Sequence, residues 1–110
     1  MVHFVGAGPG DKELITVKGM HLLQEADVVI YAGSLVNPEL IEYTKKEAEI
    51  FNSASMTLEE VVAVMERAES NGKMTVRLHT GDPSVYGAHR EQMDWLERLG
   101  ISYDITPGVS

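Results

Sequence analysis

Short apolar runs alternate with helical segments along the whole sequence, and this alternation constrains the fold more than any other feature. The clearest run is DVVIY at residues 27–31, whose apolar stretch is typical of a strand buried on both faces of a parallel sheet. The same reasoning predicts further strands at residues 2–5, 50–52, 74–79 and 103–106. Strands that alternate with helices pair in parallel through right-handed crossovers. We therefore expect an α/β fold with an open, mostly parallel sheet and flanking helices.

Capping residues indicate where the helices between these strands begin. Asp11 is placed to cap a first helix over residues 12–25, and Asn37-Pro38 opens a second. Thr57 and Glu60 form a capping box before the third helix, which ends at Asn71-Gly72, and a fourth runs from Asp82-Pro83 to Leu99-Gly100. Gly19 lies inside the first helix at a cost of about 1 kcal/mol relative to alanine. We expect Gly19 to be there because the helix packs closely on a neighbour.

Composition and charge narrow the classes of partner. A chain of 110 residues forms one modest core, and the absence of cysteine excludes disulfides, thiolate zinc sites and cysteine nucleophiles. The formal net charge of −8 disfavours nucleic acid and anionic lipid as partners. No apolar run approaches the roughly 20 residues of a membrane span, and the start lacks a secretion signal. We therefore expect a cytoplasmic protein. We also expect it to hold no metal, because the four histidines show no paired ligand spacing (His3, His21, His79 and His89).

Three glycine-containing loops follow predicted strands and would meet at the carboxyl edge of the sheet. They are GAGPGD at residues 6–11, YAGSLV at 31–36 and TGDPSVYG at 80–87. In open α/β sheets ligands bind beyond the carboxyl ends of the strands, and glycine lets the backbone approach a ligand closely. The alternative is that each loop is only a tight turn. Three such loops at one edge favour a binding site.

The loops do not match a nucleotide phosphate site. The first reads G-x-G-x-G rather than G-x-G-x-x-G, and Asp27 precedes the second strand, whereas a ribose-binding acid follows it. A nicotinamide-binding module is thereby disfavoured. Carboxylates at Asp11 and Asp82 suit a cationic or zwitterionic ligand such as S-adenosylmethionine. Asp82 could equally be a plain helix cap ahead of Pro83.

The same loops resemble a known family. The sequence is similar to the tetrapyrrole (corrin/porphyrin) methylases, and most closely to their precorrin-4 C11-methyltransferase branch. The resemblance covers the whole chain through VGAGPGD (5–11), LITVKG (14–19), YAGSLV (31–36), RLHTGDPSVYGA (77–88) and TPGVS (106–110). It implies a cobalamin-biosynthesis enzyme that transfers a methyl group from S-adenosylmethionine to C11 of precorrin-4 or cobalt-precorrin-4. Another ring methylase of the family, or a non-catalytic structural or dimerising domain, is the alternative.

The resemblance also implies site residues and an organisation. Residues 1–110 would be the N-terminal domain of a two-domain, usually dimeric enzyme whose C-terminal domain is absent here, so that the fragment alone would be inactive. The implied cofactor contacts are Pro9, Thr80, Gly81, Asp82, Val85 and Ser110. The implied contacts to the tetrapyrrole are Gly8, Gly10, Asp11, Tyr31, Gly33 and Ser34.

The sequence departs from uroporphyrinogen-methylating relatives at two places. Ala32 stands where they carry an aspartate, and Asn52-Ser53-Ala54 replaces a lysine-containing stretch. These differences disfavour uroporphyrinogen as the substrate and leave no residue assigned as a general base. Because the substrate is a polycarboxylate, we expect local cations to face it, with Lys12, Arg77, His79 and Arg90 as the candidates.

Overall fold

The computed structural model describes residues 1–7, 15–31, 38–80 and 85–106. Five strands form one sheet in which all neighbours run parallel, in the spatial order β3-β2-β4-β1-β5. The α/β prediction is confirmed, and the sheet is parallel throughout. The strands are β1 Val2–Ala7, β2 Val28–Tyr31, β3 Glu49–Asn52, β4 Thr75–Thr80 and β5 Tyr103–Thr106.

Helices cover both faces of the sheet. Helix α1 (Val17–Glu25) and a 3-10 helix (Pro38–Tyr43) pack on one face, where Leu23 and Leu40 join the core. Helices α2 (Leu58–Ser70) and α3 (Val85–Arg98) pack on the other face. The alternation of side chains along each strand sends successive residues to opposite faces, so both cores are apolar. Burial of the sheet on both sides explains the continuous apolar run of β2.

In the strand order, β4 lies where the connecting elements change from one face of the sheet to the other. The chain leaves β1 and β2 toward elements on the α1 face, whereas it leaves β4 toward α3 on the opposite face. Strand β4 lies between β1 and β2, so this change of face occurs on both sides of it. Open α/β sheets bind ligands in the crevice formed at such a point.

The predicted start of the first helix is wrong. Helix α1 begins at Val17, not near residue 12, and its cap is Thr16 rather than Asp11. The Thr16 hydroxyl accepts a hydrogen bond from the Gly19 amide at 3.1 Å, which satisfies an amide that has no partner within the helix. Strand β1 also continues to Ala7 instead of ending at Val5, because its ladder with β4 extends to Thr80.

Other local predictions are confirmed. Thr57 and Glu60 form both hydrogen bonds of a capping box, at 3.1 and 3.2 Å. Helix α2 ends before Gly72, whose φ of +68° is a left-handed conformation that glycine adopts readily. The segment that opens at Pro38 is a 3-10 helix rather than an α-helix. None of the helices in the described ranges has the length and apolarity needed to cross a bilayer.

Candidate functional site

The three strands that carry the glycine loops are neighbours in the sheet. Ala7 at the end of β1 pairs with Thr80 at the end of β4. Tyr31 at the end of β2 pairs with Leu78, two residues before that same end. The carboxyl ends of these three strands therefore lie side by side in the sheet. The prediction that the loops share one edge is confirmed for the strand ends that precede them.

Most of the predicted contact residues lie outside the described ranges. This holds for Gly8, Pro9, Gly10, Asp11, Gly33, Ser34, Gly81, Asp82 and Ser110, and for Lys12 and Ala32. The structure places three others. Thr80 is the last residue of β4, Val85 is the first residue of α3, and Tyr31 ends β2 as a half-buried side chain. Thr80 and Tyr31 therefore end two neighbouring strands at the carboxyl edge, and Val85 begins the helix that follows β4.

A segment that sequence reasoning treated only as a departure also lies at this edge. The Ser53 hydroxyl donates a hydrogen bond to the Tyr31 carbonyl at 3.1 Å. The Asn52 side chain accepts one from the Ala54 amide at 2.9 Å, which shapes the short 3-10 turn Ser53–Ser55. Strand β3 pairs with β2, so its carboxyl end falls beside Tyr31. The position of this segment beside Tyr31 follows from the strand order, which short sequence motifs do not predict.

Two buried imidazole rings lie beneath the edge. His79 on β4 and His89 on α3 have ring centroids 5.1 Å apart, with the planes inclined by 39°. The His89 ring also contacts Phe4 edge-to-face at 5.7 Å. Both histidines are buried. His79 precedes Thr80 directly, and it packs against α3 in the interior.

Arg77 precedes His79 by two residues on β4, so it lies further from the carboxyl edge, and it is buried under α3. Its Nε donates to the Gln92 side-chain oxygen at 3.3 Å, and its Nη1 donates to the Ile30 carbonyl at 3.3 Å. These two bonds tie β4 to α3 and to β2. Burial disfavours the charged form and lowers the pKa of Arg77 to about 10, so the guanidinium is still protonated at neutral pH.

The structure places three of the four candidate cations. Arg77 lies inside the sheet–helix layer rather than on an open trough wall, because its side chain points to the face that α3 covers. Arg90 is 75% exposed and pairs with Asp94 one turn further along α3, at 3.3 Å. That pair is typical of a solvated helix surface. His79 is likewise an interior residue.

The described residues at the carboxyl edge supply neutral polar groups that suit ligand binding rather than groups that suit acid–base or nucleophilic catalysis. Tyr31, Ser53 and the backbone at Thr80 and Val85 can position a ligand through neutral polar contacts. Within the described ranges, no group of three or more acidic and histidine side chains could hold a metal ion. An arrangement of this kind suits a reaction that depends on alignment of two bound molecules.

Comparison with known proteins gives consistent matches over the full sequence. The family model for Tetrapyrrole (Corrin/Porphyrin) Methylases matches residues 1–110. The cobalt-precorrin-4 C(11)-methyltransferase of Methanocaldococcus jannaschii is 63% identical over 109 residues, which are 99% of this chain and 42% of that protein.

Two solved structures give the same match in three dimensions. The X-ray structure of a cobalt precorrin-4 methyltransferase of cobalamin biosynthesis superposes with a TM-score of 0.93 at 54% identity, over 99% of this chain and 46% of that one. A uroporphyrin-III C-methyl transferase of Thermus thermophilus, complexed with S-adenosylhomocysteine, superposes with a TM-score of 0.81 at 34% identity, over 99% of this chain and 48% of that one. The chain spans less than half the length of these proteins.

Proposed function

The chain belongs to the tetrapyrrole (corrin/porphyrin) methylase family, and on that premise we propose that it is the N-terminal domain of an S-adenosylmethionine-dependent C-methyltransferase. The proposed reaction is methylation of C11 of precorrin-4 or cobalt-precorrin-4 in cobalamin biosynthesis. The observation that carries the proposal is that β1, β2 and β4 end at one edge, because three of the five family motifs begin within the ends of these strands.

The residues of the edge fit the proposed cofactor. When bound, S-adenosylmethionine supplies a methyl group carried on a positively charged sulfur. A site for it must hold the molecule without strongly stabilising that charge, since the charge on sulfur decreases in the transition state. The described residues at the edge, Thr80 and Tyr31, are neutral, and Arg77 is a buried cation three residues before the end of β4. Such surroundings favour the loss of positive charge.

Alignment is the contribution expected of this domain. The ends of β1, β2 and β4 are fixed by parallel ladders on a sheet that is buried on both faces. Strand ends fixed in this way can align two bound ligands, and orientation of this kind can lower the activation barrier by about 7 to 11 kcal/mol. The Ser53 bond to Tyr31 extends the rigid region to the end of β2.

The individual contacts follow from the family resemblance. We assign the cofactor to Pro9, Thr80, Gly81, Asp82, Val85 and Ser110. We assign the tetrapyrrole to Gly8, Gly10, Asp11, Tyr31, Gly33 and Ser34. We propose that the full-length enzyme acts in the cytoplasm as a homodimer. It would have no nucleic acid or membrane partner, in keeping with the net charge of −8 on residues 1–110.

Transfer of a labelled methyl group tests the function. The full-length protein and the chain 1–110 are incubated with labelled S-adenosylmethionine and with precorrin-4, cobalt-precorrin-4 or uroporphyrinogen III. We expect C11-methylated product from a precorrin-4 substrate with the full-length protein only. Product from uroporphyrinogen alone would assign the chain to another methylase of the family, and no transfer at all would contradict the proposal. Full activity of the 110-residue chain would show that this domain suffices.

A further inference from the structure

The guanidinium of Arg77 is a buried cation that lacks an acidic partner among the described residues. Its residue is 5% exposed, and the acceptors that it reaches are the Gln92 amide oxygen and the Ile30 carbonyl, both neutral. Elsewhere the exposed Arg67 and Arg90 pair with Glu49 and Asp94. Among the described residues, these surface cations are therefore paired with carboxylates and this interior one is not.

A structural clamp alone does not account for the charge. Burial of an ion costs several kcal/mol unless an opposite charge compensates it, and neutral side chains of similar volume often serve stability as well or better. A neutral amide or an apolar side chain could fill the space between β4 and α3. The positive charge itself is then the feature that needs a function.

Arg77 lies close enough to the ligand edge for the field of its charge to reach a ligand there. Arg77 lies three residues before Thr80 on β4, which corresponds to about 10 Å along a strand. Helix α3 and the sheet exclude water around the side chain, so the field is screened less than that of a surface arginine. His79 lies between Arg77 and Thr80 in the sequence. It is on the same face of β4 as Arg77, and its ring is also buried.

We propose that Arg77 is an electrostatic positioning residue, whose buried charge favours an anionic ligand at the carboxyl end of β2, the strand that pairs with β4 at Arg77. The inference rests on the proposed function, because the ligand it names is the polycarboxylate tetrapyrrole. It explains how a domain with a net charge of −8 holds a polyanion. Arg77 acts through space and also fixes α3, but it does not contact the substrate.

Gln92→Glu separates the charge of Arg77 from its hydrogen bonds. The substitution keeps the shape and the acceptor of residue 92 while it places a carboxylate against the guanidinium. At about 10 Å and an effective dielectric constant near 20, cancelling one charge changes the affinity of an oppositely charged ligand on the order of tenfold. In the full-length enzyme we expect the KM for cobalt-precorrin-4 to rise about that much, with kcat changed less than twofold.

Gln24→Glu is the matched control, because it adds the same charge at an exposed position of α1. We expect it to leave KM and kcat unchanged. Arg77→Lys retains the charge without the paired hydrogen bonds, so it should lower the melting temperature and keep KM near that of the wild type. A folded Gln92→Glu enzyme with the KM of the control would overturn the inference. If Gln92→Glu does not fold, a raised KM in Arg77→Lys overturns it instead.

A second measurement does not depend on the tetrapyrrole. S-adenosylmethionine carries one more positive charge than S-adenosylhomocysteine, so cancelling the field of Arg77 should favour the former. Calorimetric titration of the Gln92→Glu enzyme should show the affinity ratio shifted severalfold toward S-adenosylmethionine. If no macrocycle is methylated, the proposed function fails, while this ratio still decides on the field. An unchanged ratio, or no binding of either molecule, overturns the inference.

Discussion

The Asp27 carboxylate accepts a hydrogen bond from the backbone amide of Met74 at 2.9 Å, across 47 residues of the chain. The same carboxylate pairs with Lys45, so three segments that precede β2, β3 and β4 meet at one side chain. This junction lies at the amino ends of the strands, opposite the ligand edge. It can therefore be changed without disturbing the site.

Asp27→Ala should destabilise the protein by about 1 to 2 kcal/mol. The amide of Met74 would lose its acceptor and Lys45 would lose its partner, and a buried or half-buried donor left unpaired costs about this much. Chemical denaturation of the full-length protein measures the change. Glu25→Ala, at an exposed neighbouring carboxylate, is the control and should have little effect. Equal stability of the two variants would contradict the role given to Asp27.

Asp27 also predicts an acid-sensitive contribution to stability. The hydrogen bond from Lys45, followed by that from Met74, lowers the pKa of Asp27 below its ordinary value of 3.8. A carboxyl whose pKa is depressed in the folded state binds protons more weakly there than in the unfolded state. Its stabilising contribution is present above about pH 4 and is lost as the pH falls through the folded pKa.

The difference in unfolding free energy between wild type and Asp27→Asn should therefore shrink on acidification. Denaturation curves at a series of pH values from neutral to about 3 measure it. A difference that stays constant over that range would show that the charge of Asp27 is not coupled to folding.

Gly19→Ala should destabilise the protein even though alanine is the better helix former. An added Cβ would lie 2.9 Å from Cγ1 of Val5 and 3.0 Å from Cγ1 of Ile15, and both side chains are buried. Overpacking of this kind costs about 1 to 3 kcal/mol, which outweighs a gain in helix propensity of about 1 kcal/mol.

Ala63→Gly on the exposed side of α2 is the control for propensity alone. We expect it to destabilise by about 1 kcal/mol. A Gly19→Ala protein that melts above the wild type would show that α1 can move away from β1 without loss.

Ser53→Ala should affect substrate binding more than stability. The variant leaves the Tyr31 carbonyl without its side-chain donor, which loosens the end of β2 where the YAGSLV motif begins. A hydrogen bond of this kind contributes about 1 kcal/mol, so we expect a rise in KM of about fivefold and a small change in melting temperature. Ser55→Ala, at an exposed position of the same turn, should leave both unchanged. A KM equal to that control would rule out this positioning role.

The sequence predicted the elements whose signals are local. The capping box at Thr57, the glycine at residue 72 and the apolar run of β2 each depend on neighbours within a few residues. The start of α1 is less predictable, because both Asp11 and Thr16 are residue types that cap helices well, and the cap of α1 is Thr16.

The candidate site was only partly predictable for the same reason. The glycines that follow strands predicted the three loops of the candidate site. The hydrogen bond from Ser53 to Tyr31 was not predictable, because it depends on β3 lying beside β2. The spacing of Arg77 in its motif gave its proximity to the edge and not its burial, which is set by α3 packing over that face. Spatial strand order is a property of the whole chain, and short motifs do not encode it.

The pairing of β1 has a consequence for folding of the chain during its synthesis on the ribosome. The neighbours of this first strand are β4 and β5, so residues 2–7 have no partner until residues 75–80 have been synthesised. At roughly 5 to 20 residues per second, the ribosome leaves β1 waiting for several seconds or longer. During that time β2 and β3 can already pair with each other, whereas β1 exposes two unpaired edges and the buried side chains of Val2, Phe4 and Val5. The nascent chain is thus most exposed to misassembly before β4 emerges, and synonymous codons that slow translation before residue 75 should lower the yield of folded protein.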